Sequence, residues 1–345
     1  MSVHWTAEPL RALLPAYPYA LNGQCSELSD LVARYRQYYQ WQIPENIDKT
    51  CSLGWCETAV GRVFVQAWMQ SQDRPTVIFC HGYFDHSAMN GPFAQWVLRQ
   101  GYNLVMWDLP GHGLSDGKPA DIGSFDDYSA AFASVLSVIP STFTRSVHLI
   151  AHSTGAALLL NGVLRQHKGM NALSDNQLCS VTFLAPLVRP MGYAWIRRLL
   201  PLLQGRLDSW PRRFNASTHD KSFLDFQQFK DPLQARQIPL RWIAAMVSYN
   251  SALMADTYRD LPLQILQGDA DLTVSWRQNM SLLKKMFPLA SIHPLAGARH
   301  HLLRESSFYQ ALVEGALRAI WSQAESVFEA SSTSKSASTL NQTKP

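Results

Sequence analysis

A serine, an aspartate and a histidine follow three different apolar runs of this chain, in that order. Ser153 ends the run SVHLIAHS, Asp271 ends PLQILQGDAD, and His300 follows ASIHPLAG by three residues. A serine hydroxyl is a poor nucleophile until a neighbouring base removes its proton, and a histidine held by a carboxylate is suited to that task. These residue types therefore indicate attack by a serine on an acyl carbonyl.

Each of these residues has a competing explanation in the sequence itself. Serine is also favoured at the start of a helix, and Ser153 directly precedes the helical pattern TGAALLLNGVLRQH. Asp269 is an alternative acid and His301 an alternative base. The residues around the serine depart from the motif G-x-S-x-G, because Ala151 stands at the first glycine position. Alanine is still small, as a sharp strand-to-helix turn with a serine at positive φ requires.

The runs that precede these residues predict strands of a mostly parallel sheet. The pair WCETAV and RVFVQAWM predicts a hairpin with its turn at Gly61, and six further short apolar runs alternate with helical patterns: TVIFCHG, NLVMWDLPGHG, SVHLIAHS, SVTFLAP, PLQILQGDAD and ASIHPLAG. This alternation is typical of βαβ units, in which helices cover both faces of a parallel sheet. Ligands bind beyond the carboxyl ends of such strands, where the serine, aspartate and histidine are expected.

The same pattern predicts how the chain is divided. We expect an N-terminal helical extension at 1–54, a first part of an α/β core at 55–186 and its second part at 261–327. The segment 187–260 interrupts the alternation and is rich in Trp, Arg, Leu and Phe, so it predicts a helical cap inserted after a strand end near Pro186. The Ser/Thr-rich tail, 328–345, has no apolar face and is predicted to be disordered.

From about residue 55 to 327 the chain resembles the α/β-hydrolase superfamily. Within it, the chain is similar to the serine-hydrolase branch that holds monoacylglycerol lipases and bacterial lysophospholipases. Five motifs carry the resemblance: HGYFDHS, DLPGHGLSDG, AHSTG, GDADLTV and GARHHLLRE. The resemblance implies an α/β-hydrolase fold with a capped active site.

The resemblance also assigns roles to individual residues. It implies Ser153 as the nucleophile and His300, within the G-A-x-H match, as the base. It favours Asp271 as the acid, by its spacing from the glycine that opens GDADLTV. A tetrahedral oxyanion needs backbone N–H donors, and the resemblance implies those of Tyr83 and Thr154.

The predicted cap combines apolar and basic residues that suggest a lipid. Trp195 and Leu199 are candidates for an acyl-chain entrance, and Arg197 and Arg198 are candidates for contact with a phosphate or an anionic membrane. Further arginines lie nearby at 206, 212 and 213. The segment 187–260 holds eleven Lys/Arg against six Asp/Glu, whereas the whole chain has a formal net charge of +4. A solvated helical face explains the same composition equally well.

These observations predict a serine carboxylic-ester hydrolase that acts on a small-molecule or lipid acyl ester, as a lysophospholipase or monoacylglycerol lipase. A thioesterase, acyltransferase or peptidase on the same fold remains open, as does a non-catalytic binding protein. No metal-ligand spacing, cofactor motif or nucleic-acid-binding motif is present, and no obligatory protein partner is evident. Five cysteines, no signal-peptide pattern and no membrane-spanning run predict a cytoplasmic protein, with peripheral membrane contact through the basic cap.

Overall fold

The computed structural model describes residues 5–21, 25–144, 146–162, 177–254 and 262–341, with side chains described as far as residue 330. Its strands are β1 (Tyr19–Ala20), β2 (Cys51–Thr58), β3 (Gly61–Trp68), β4 (Thr76–Cys80), β5 (Asn103–Trp107), β6 (Val147–His152), β7 (Leu178–Leu184), β8 (Ser209–Pro211), β9 (Gln237–Pro239), β10 (Leu263–Gly268) and β11 (Ser291–Leu295). Its α-helices are α1 (Glu8–Leu13), α2 (Ser26–Tyr38), α3 (Glu45–Asp48), α4 (Gly91–Arg99), α5 (Phe125–Val138), α6 (Thr154–Gly162), α7 (Tyr193–Leu203), α8 (Lys221–Asp225), α9 (Leu240–Leu253), α10 (Trp276–Met286) and α11 (Ser307–Asn341).

Nine strands form the central sheet, in the order β1-β2-β3-β5-β4-β6-β7-β10-β11. Within this order, β5, β4, β6, β7, β10 and β11 run parallel to one another, whereas β1, β2 and β3 form an antiparallel edge that pairs with β5. The predicted hairpin is confirmed, since β2 pairs with β3 and Thr58 lies opposite Gly61. All six other apolar runs contain a strand of this sheet, which confirms the predicted mostly parallel α/β architecture.

Apolar side chains cover both faces of the sheet. One buried cluster packs α5, α6, α9 and α10 against one face, and a second packs α1, α2, α4 and α11 against the other. The central strands are buried along their whole length, so they carry apolar residues continuously rather than in alternation. This two-sided burial holds the carboxyl ends of β4, β6, β10 and β11 in fixed relative positions.

The cap segment contains more than helices. The helices α7, α8 and α9 and a π-helical turn, Phe226–Lys230, are accompanied by an antiparallel ribbon of β8 and β9, which the sequence did not predict. Each strand of the ribbon has three residues and contains a proline, so it lacks the apolar periodicity by which strands are predicted. The division at 187–260 stays a prediction, and residues 255–261 lie outside the described part of the chain.

The N-terminal segment packs on the core and on the cap. It contains α1, α2 and α3, and the short strand β1 pairs with β2 at the edge of the sheet. The hydroxyl of Tyr39 donates a hydrogen bond of 2.6 Å to Asp231 in the cap, and Asp231 also lies 2.9 Å from Nε2 of His86 in the core. Tyr38 donates to the carbonyl of Lys230, at 2.5 Å. The end of α2 thus connects the core with the cap.

At the other end of the chain, the backbone of α11 is helical from Ser307 to Asn341. This helix enters the segment from residue 328 for which the composition predicts disorder. Its first half contributes Val313, Leu317 and Trp321 to the core, so this part of the helix is anchored by packing. The boundary at 328 stays a prediction.

Candidate active site

Ser153 occupies a sharp turn between β6 and α6. Its φ of 49° lies in the left-handed region, which is strained for a residue with a side chain. Hydrogen bonds hold the strained backbone on both sides: its N–H donates to Leu184 at 3.0 Å, and its carbonyl accepts from Ala157 and Leu187, both at 3.1 Å. The turn presents the serine side chain beyond the carboxyl end of the strand.

Close packing around this turn explains the small residues on either side of the serine. A Cβ atom on Gly155 would lie 2.2 Å from the carbonyl oxygen of Cys80, so a larger residue there would displace the backbone of β4 or α6. Ala151 is fully buried and pairs with Cys80 and Phe183 in the neighbouring strands. The structure accommodates the methyl group of Ala151, and the tightest approach lies on the helix side of the serine.

Ser153, His300 and Asp271 form a continuous hydrogen-bonded chain. Nε2 of His300 lies 3.0 Å from Oγ of Ser153, and Nδ1 of the same ring lies 2.7 Å from Oδ2 of Asp271. All three side chains are buried. The distances match those by which a carboxylate orients an imidazole and the imidazole accepts a proton from a hydroxyl.

The surroundings of Asp271 keep its carboxylate ionised. Burial alone would raise its pKa, but His300 and the backbone N–H groups of Thr273 and Val274, at 2.7 and 3.1 Å, bring the pKa below its ordinary value. Asp269 faces elsewhere and accepts a hydrogen bond from the backbone of Gly297. The structure therefore places Asp271, and not Asp269, against the histidine.

Two further histidines surround His300 and carry no charge at neutral pH. Burial lowers the pKa of His152 to about 3 and, together with the neighbouring His152, lowers the pKa of His301 well below its ordinary value. His152 lies 3.1 Å, through Nε2, from the backbone carbonyl of His300. A positive charge that forms on His300 therefore meets neutral rings on one side and the carboxylate of Asp271 on the other.

The backbone N–H groups of Tyr83 and Thr154 are free to donate. Within the described part of the chain, neither donates a hydrogen bond to a protein acceptor. Thr154 begins α6, whose N-terminal end favours negative charge. Tyr83 lies in the loop after β4, and this loop approaches the serine closely, since a Cβ on Gly82 would lie 3.3 Å from Cβ of Ser153. Both groups are available to a developing oxyanion.

Buried side chains fix the loop that carries Tyr83. Nε2 of His81 accepts a hydrogen bond of 2.9 Å from the backbone of Leu109, and Asp85 accepts from the backbone of His86 and from the side chain of Asn90. The phenol of Tyr83 donates to the carbonyl of Ala120 at 2.7 Å and its ring stacks on Trp242 of the cap. The contact with Trp242 ties the loop to the cap, and the sequence did not single it out.

A cavity of about 280 Å³ opens onto Ser153 and His300. Its lining is mixed, and the apolar residues come from cap and core: Leu187, Pro190, Ile196, Ile238, Trp242, Ile243, Met246 and Val274. The cap segment after β8 adds polar residues: Arg212, Arg213, Asn215 and Ser217. The volume lies just below the range of about 300–1,000 Å³ typical of ligand pockets.

The residues that line this cavity do not include Trp195, Arg197, Arg198 and Leu199, and the role of these four residues in substrate binding stays a prediction. All four are exposed, with Trp195 at 69%. The inward face of α7 is instead formed by Tyr193, Ile196 and Leu200, at the spacing of one helical face. The sequence pattern of an amphipathic helix does not by itself reveal which of its faces meets the core.

One group of potential metal ligands occurs among the described residues. Ligand atoms of Asp85, His152 and His301 lie within 4.8 Å of one another. Asp85 already accepts hydrogen bonds from within its own loop, and Nε2 of His152 faces the carbonyl of His300. These contacts explain the cluster by loop packing and hydrogen bonding, and the absence of a metal stays a prediction.

Comparison with known proteins extends the assignment beyond the fold. A sequence model of the family described as serine aminopeptidase, S33, matches residues 71–307 of the chain. The match includes Ser153, Asp271 and His300. Phospholipase YtpA of Bacillus subtilis (strain 168) is 22% identical over 213 residues, which cover 60% of this chain and 80% of the relative.

Solved structures show the same architecture. The monoacylglycerol lipase of Paleococcus ferrophilus is 16% identical and has a TM-score of 0.61, with 75% of this chain and 98% of that chain covered. A soluble variant of monoglyceride lipase from Saccharomyces cerevisiae, solved with a substrate analog, is 16% identical and has a TM-score of 0.66, with 83% and 98% covered. At this identity the likeness shows the fold, and the predicted α/β-hydrolase fold is confirmed.

Proposed function

This chain belongs to the serine aminopeptidase S33 family and is a serine ester hydrolase of the α/β-hydrolase type, and from that premise we propose that its substrate is a lipid with a single acyl chain. A monoacylglycerol or a lysophospholipid fits this description. The observation that carries the proposal is the small cavity at Ser153, whose lining combines apolar residues with Arg212 and Arg213. Its volume suits one acyl chain and a small head group better than a triacylglycerol.

In the proposed mechanism Ser153 and His300 share the proton transfers. Oγ of Ser153 attacks the carbonyl carbon of the ester while Nε2 of His300 takes the hydroxyl proton. The negative charge that develops on the carbonyl oxygen is stabilised by the N–H groups of Tyr83 and Thr154. The ester C–O bond then breaks, His300 donates its proton to the leaving alcohol, and the acyl group stays on the serine.

A water molecule completes the reaction by the same route. His300 removes a proton from the water as it attacks the acyl-enzyme, and returns that proton to Oγ of Ser153 when the fatty acid leaves. Asp271 remains ionised and stabilises the imidazolium form of His300 in both half-reactions. No group outside this chain, other than water and the substrate, takes part.

The charges around the cavity favour an ester over a peptide with a free amino terminus. An aminopeptidase needs a negative group for the substrate's ammonium ion. The described residues that line the cavity include no aspartate or glutamate, and they include Arg212 and Arg213. These cations would repel an ammonium ion, so the electrostatics of this site support the lipid ester.

A panel of substrates with matched acyl chains tests the proposal. We expect kcat/KM to rise from butyryl to decanoyl monoacylglycerol, because each additional buried methylene contributes about 0.8 kcal/mol, or roughly fourfold. Decanoyl-CoA and a decanoylated peptide amide serve as the matched thioester and amide. Activity confined to short soluble esters would overturn the lipid substrate, and faster turnover of the thioester would assign the enzyme to another substrate class.

We also propose that the outer face of α7 contacts an anionic membrane. This outer face, defined by Trp195, Arg197, Arg198, Leu199 and Leu202, is exposed, with its two leucines at 45% and 58% exposure. Among the described residues, neither arginine forms an ion pair. No helix in the described part of the chain is long and apolar enough to span a bilayer. The five cysteines are unpaired, which supports a reducing compartment and hence the cytoplasmic side of the membrane.

Vesicle sedimentation tests this surface. Arg197→Gln with Arg198→Gln should weaken binding to vesicles that contain one third phosphatidylglycerol by about 2 kcal/mol, or near thirtyfold, since each basic residue contributes about 1 kcal/mol at such a surface. Exposed cations on other helices provide the control pair, Arg99→Gln with Lys285→Gln. Equal binding by the two double variants, or binding unaffected by salt, would contradict the proposal.

A further inference from the structure

Arg212 is a cation that lines the same cavity as Ser153. Its guanidinium forms no ion pair with any described carboxylate. A buried or half-buried charge is costly unless an opposite charge or hydrogen-bond acceptors compensate it. In Arg212 two aromatic rings, two hydrogen-bond acceptors and the carboxylates of Asp85 and Asp231 compensate part of this cost.

The guanidinium is held in a defined orientation by two aromatic rings. Its Cζ lies 4.0 Å from the ring centroid of Phe84 and 4.2 Å from that of Phe214. These ring contacts restrict the guanidinium while its N–H groups can still donate hydrogen bonds, which is how arginine binds a planar or tetrahedral oxyanion. Phe84 directly follows Tyr83, so the arginine lies beside the loop of the oxyanion donors.

Only part of the donor capacity of Arg212 is used. Nη1 donates to the side chain of Gln234 at 2.5 Å and to the carbonyl of Ala235 at 3.3 Å. Within the described part of the chain, Nε and Nη2 have no acceptor. Burial and the nearby Arg236 lower the pKa of Arg212 to about 9, and the side chain remains charged at neutral pH. A charged donor edge is therefore available to a ligand.

We propose that Arg212 binds an anionic oxygen group, a phosphate or phosphate-like group, in the head of the substrate. This inference rests on the proposed lipid ester hydrolysis and selects, among substrates with one acyl chain, those that carry a negative charge close to the ester. In this arrangement the acyl chain contacts the apolar lining residues of α7 and α9, and the head group meets the polar segment that begins at Arg212. The mixed lining of the cavity thereby suits the two ends of one amphiphile.

A structural role of Arg212 would have a different signature. If the arginine only supported Phe84 and the loop of Tyr83, its removal would weaken charged and neutral ligands alike. Selection of an anion requires that charged ligands lose more than neutral ligands of the same chain length. The experiment must therefore compare two ligands in each variant.

Equilibrium binding measures this difference without turnover. The probes are dodecyl phosphate and the neutral 1-O-dodecylglycerol, both below their critical micelle concentrations, titrated against the full chain by calorimetry. The wild type should bind the phosphate at least tenfold more tightly, and Arg212→Gln should abolish that preference, since a hydrogen bond to a charged group accounts for about tenfold to a hundredfold in affinity. Arg212→Lys, which keeps the charge but loses the planar fork, should retain part of it.

Controls separate the possible failures. Arg99→Gln, at the exposed end of α4 and outside the cavity lining, should keep the full preference for phosphate. A preference that survives in Arg212→Gln, or equal affinity for the two probes in the wild type, would overturn the inference. Inorganic phosphate alone should bind at least tenfold more weakly than dodecyl phosphate, and equal binding would assign the site to free phosphate instead of to the substrate. Because no step of this experiment needs hydrolysis, its outcome is independent of the test of the proposed function.

Discussion

Replacing Ser153 with alanine should abolish ester hydrolysis, with kcat lower by about 10⁴–10⁶, because removal of the nucleophile of a serine triad has an effect of this size. The structure gives the reason, since Oγ of Ser153 is the atom that Nε2 of His300 faces at 3.0 Å. Covalent labelling by a fluorophosphonate should disappear in the same variant. Activity on the best substrate of the acyl panel and labelling of the purified protein are the two measurements.

Ser217→Ala is the matched control for this variant. Ser217 lines the same cavity, and its hydroxyl makes no hydrogen bond in the part of the chain that the structure describes. We expect labelling to stay within about threefold of the wild type, because Ser217 lies outside the hydrogen-bonded chain of Ser153, His300 and Asp271. Labelling of Ser153→Ala at the rate of the wild type would disprove the role of the serine, and loss of both activities in Ser217→Ala would indicate another nucleophile.

The second large effect is expected from Asp271→Asn, which should lower kcat by about 10³–10⁴. The asparagine can donate where the aspartate accepts, so it no longer fixes Nδ1 of His300 as a donor and no longer stabilises the imidazolium. Two backbone donors, Thr273 and Val274, would still hold the side-chain oxygen, so the fold should survive. Thermal unfolding and kcat measured on the same preparation separate the two effects.

Asp269→Asn serves as the control, because in the part of the chain that the structure describes the exposed side chain of this aspartate accepts a hydrogen bond only from the backbone N–H of Gly297. We expect it to retain nearly full activity, and an equal loss in both variants would contradict the assignment of the acid. The pKa of Asp271 is lowered in the folded protein, so its carboxylate contributes stability above the unfolded pKa of about 3.9 and loses it as the pH falls through the lower folded value. A loss of activity between pH 6 and 4 would therefore not report the titration of Asp271.

The arrangement of the sheet and the three polar strand ends could be predicted because each depends on a local pattern. A short, continuous apolar run predicts a strand that is buried on both faces of a sheet, as β4 and β6 are. The turn at Ser153 depends on small residues beside it, and these are visible in the sequence even with Ala151 in place of glycine. The choice between Asp269 and Asp271 depended on resemblance, and the distance to His300 supports it.

The cap was less predictable because contacts with residues distant in the chain decide which of its side chains are exposed and which line the cavity. Trp195 and Ile196 are adjacent in sequence, yet the first is exposed and the second lines the cavity. Arg212 is one of several arginines in the segment, and its contacts with Phe84, Phe214 and Gln234 are set by the fold. Burial of a cation depends on long-range contacts, and the hydrophobic periodicity of the sequence gives no information about them.

The contact between Tyr39 and Asp231 has a consequence for how this enzyme could be redesigned. The α2 helix precedes the segment that the family model covers. Tyr39, the residue directly after this helix, donates its hydroxyl to Asp231, and Asp231 in turn contacts His86. A cap transplanted from a relative without this helix would bring no counterpart for Tyr39 and would leave His86 facing a foreign surface. In chimaeras of this protein, the N-terminal extension and the cap must therefore be exchanged together, although almost two hundred residues separate Tyr39 from Asp231 in the chain.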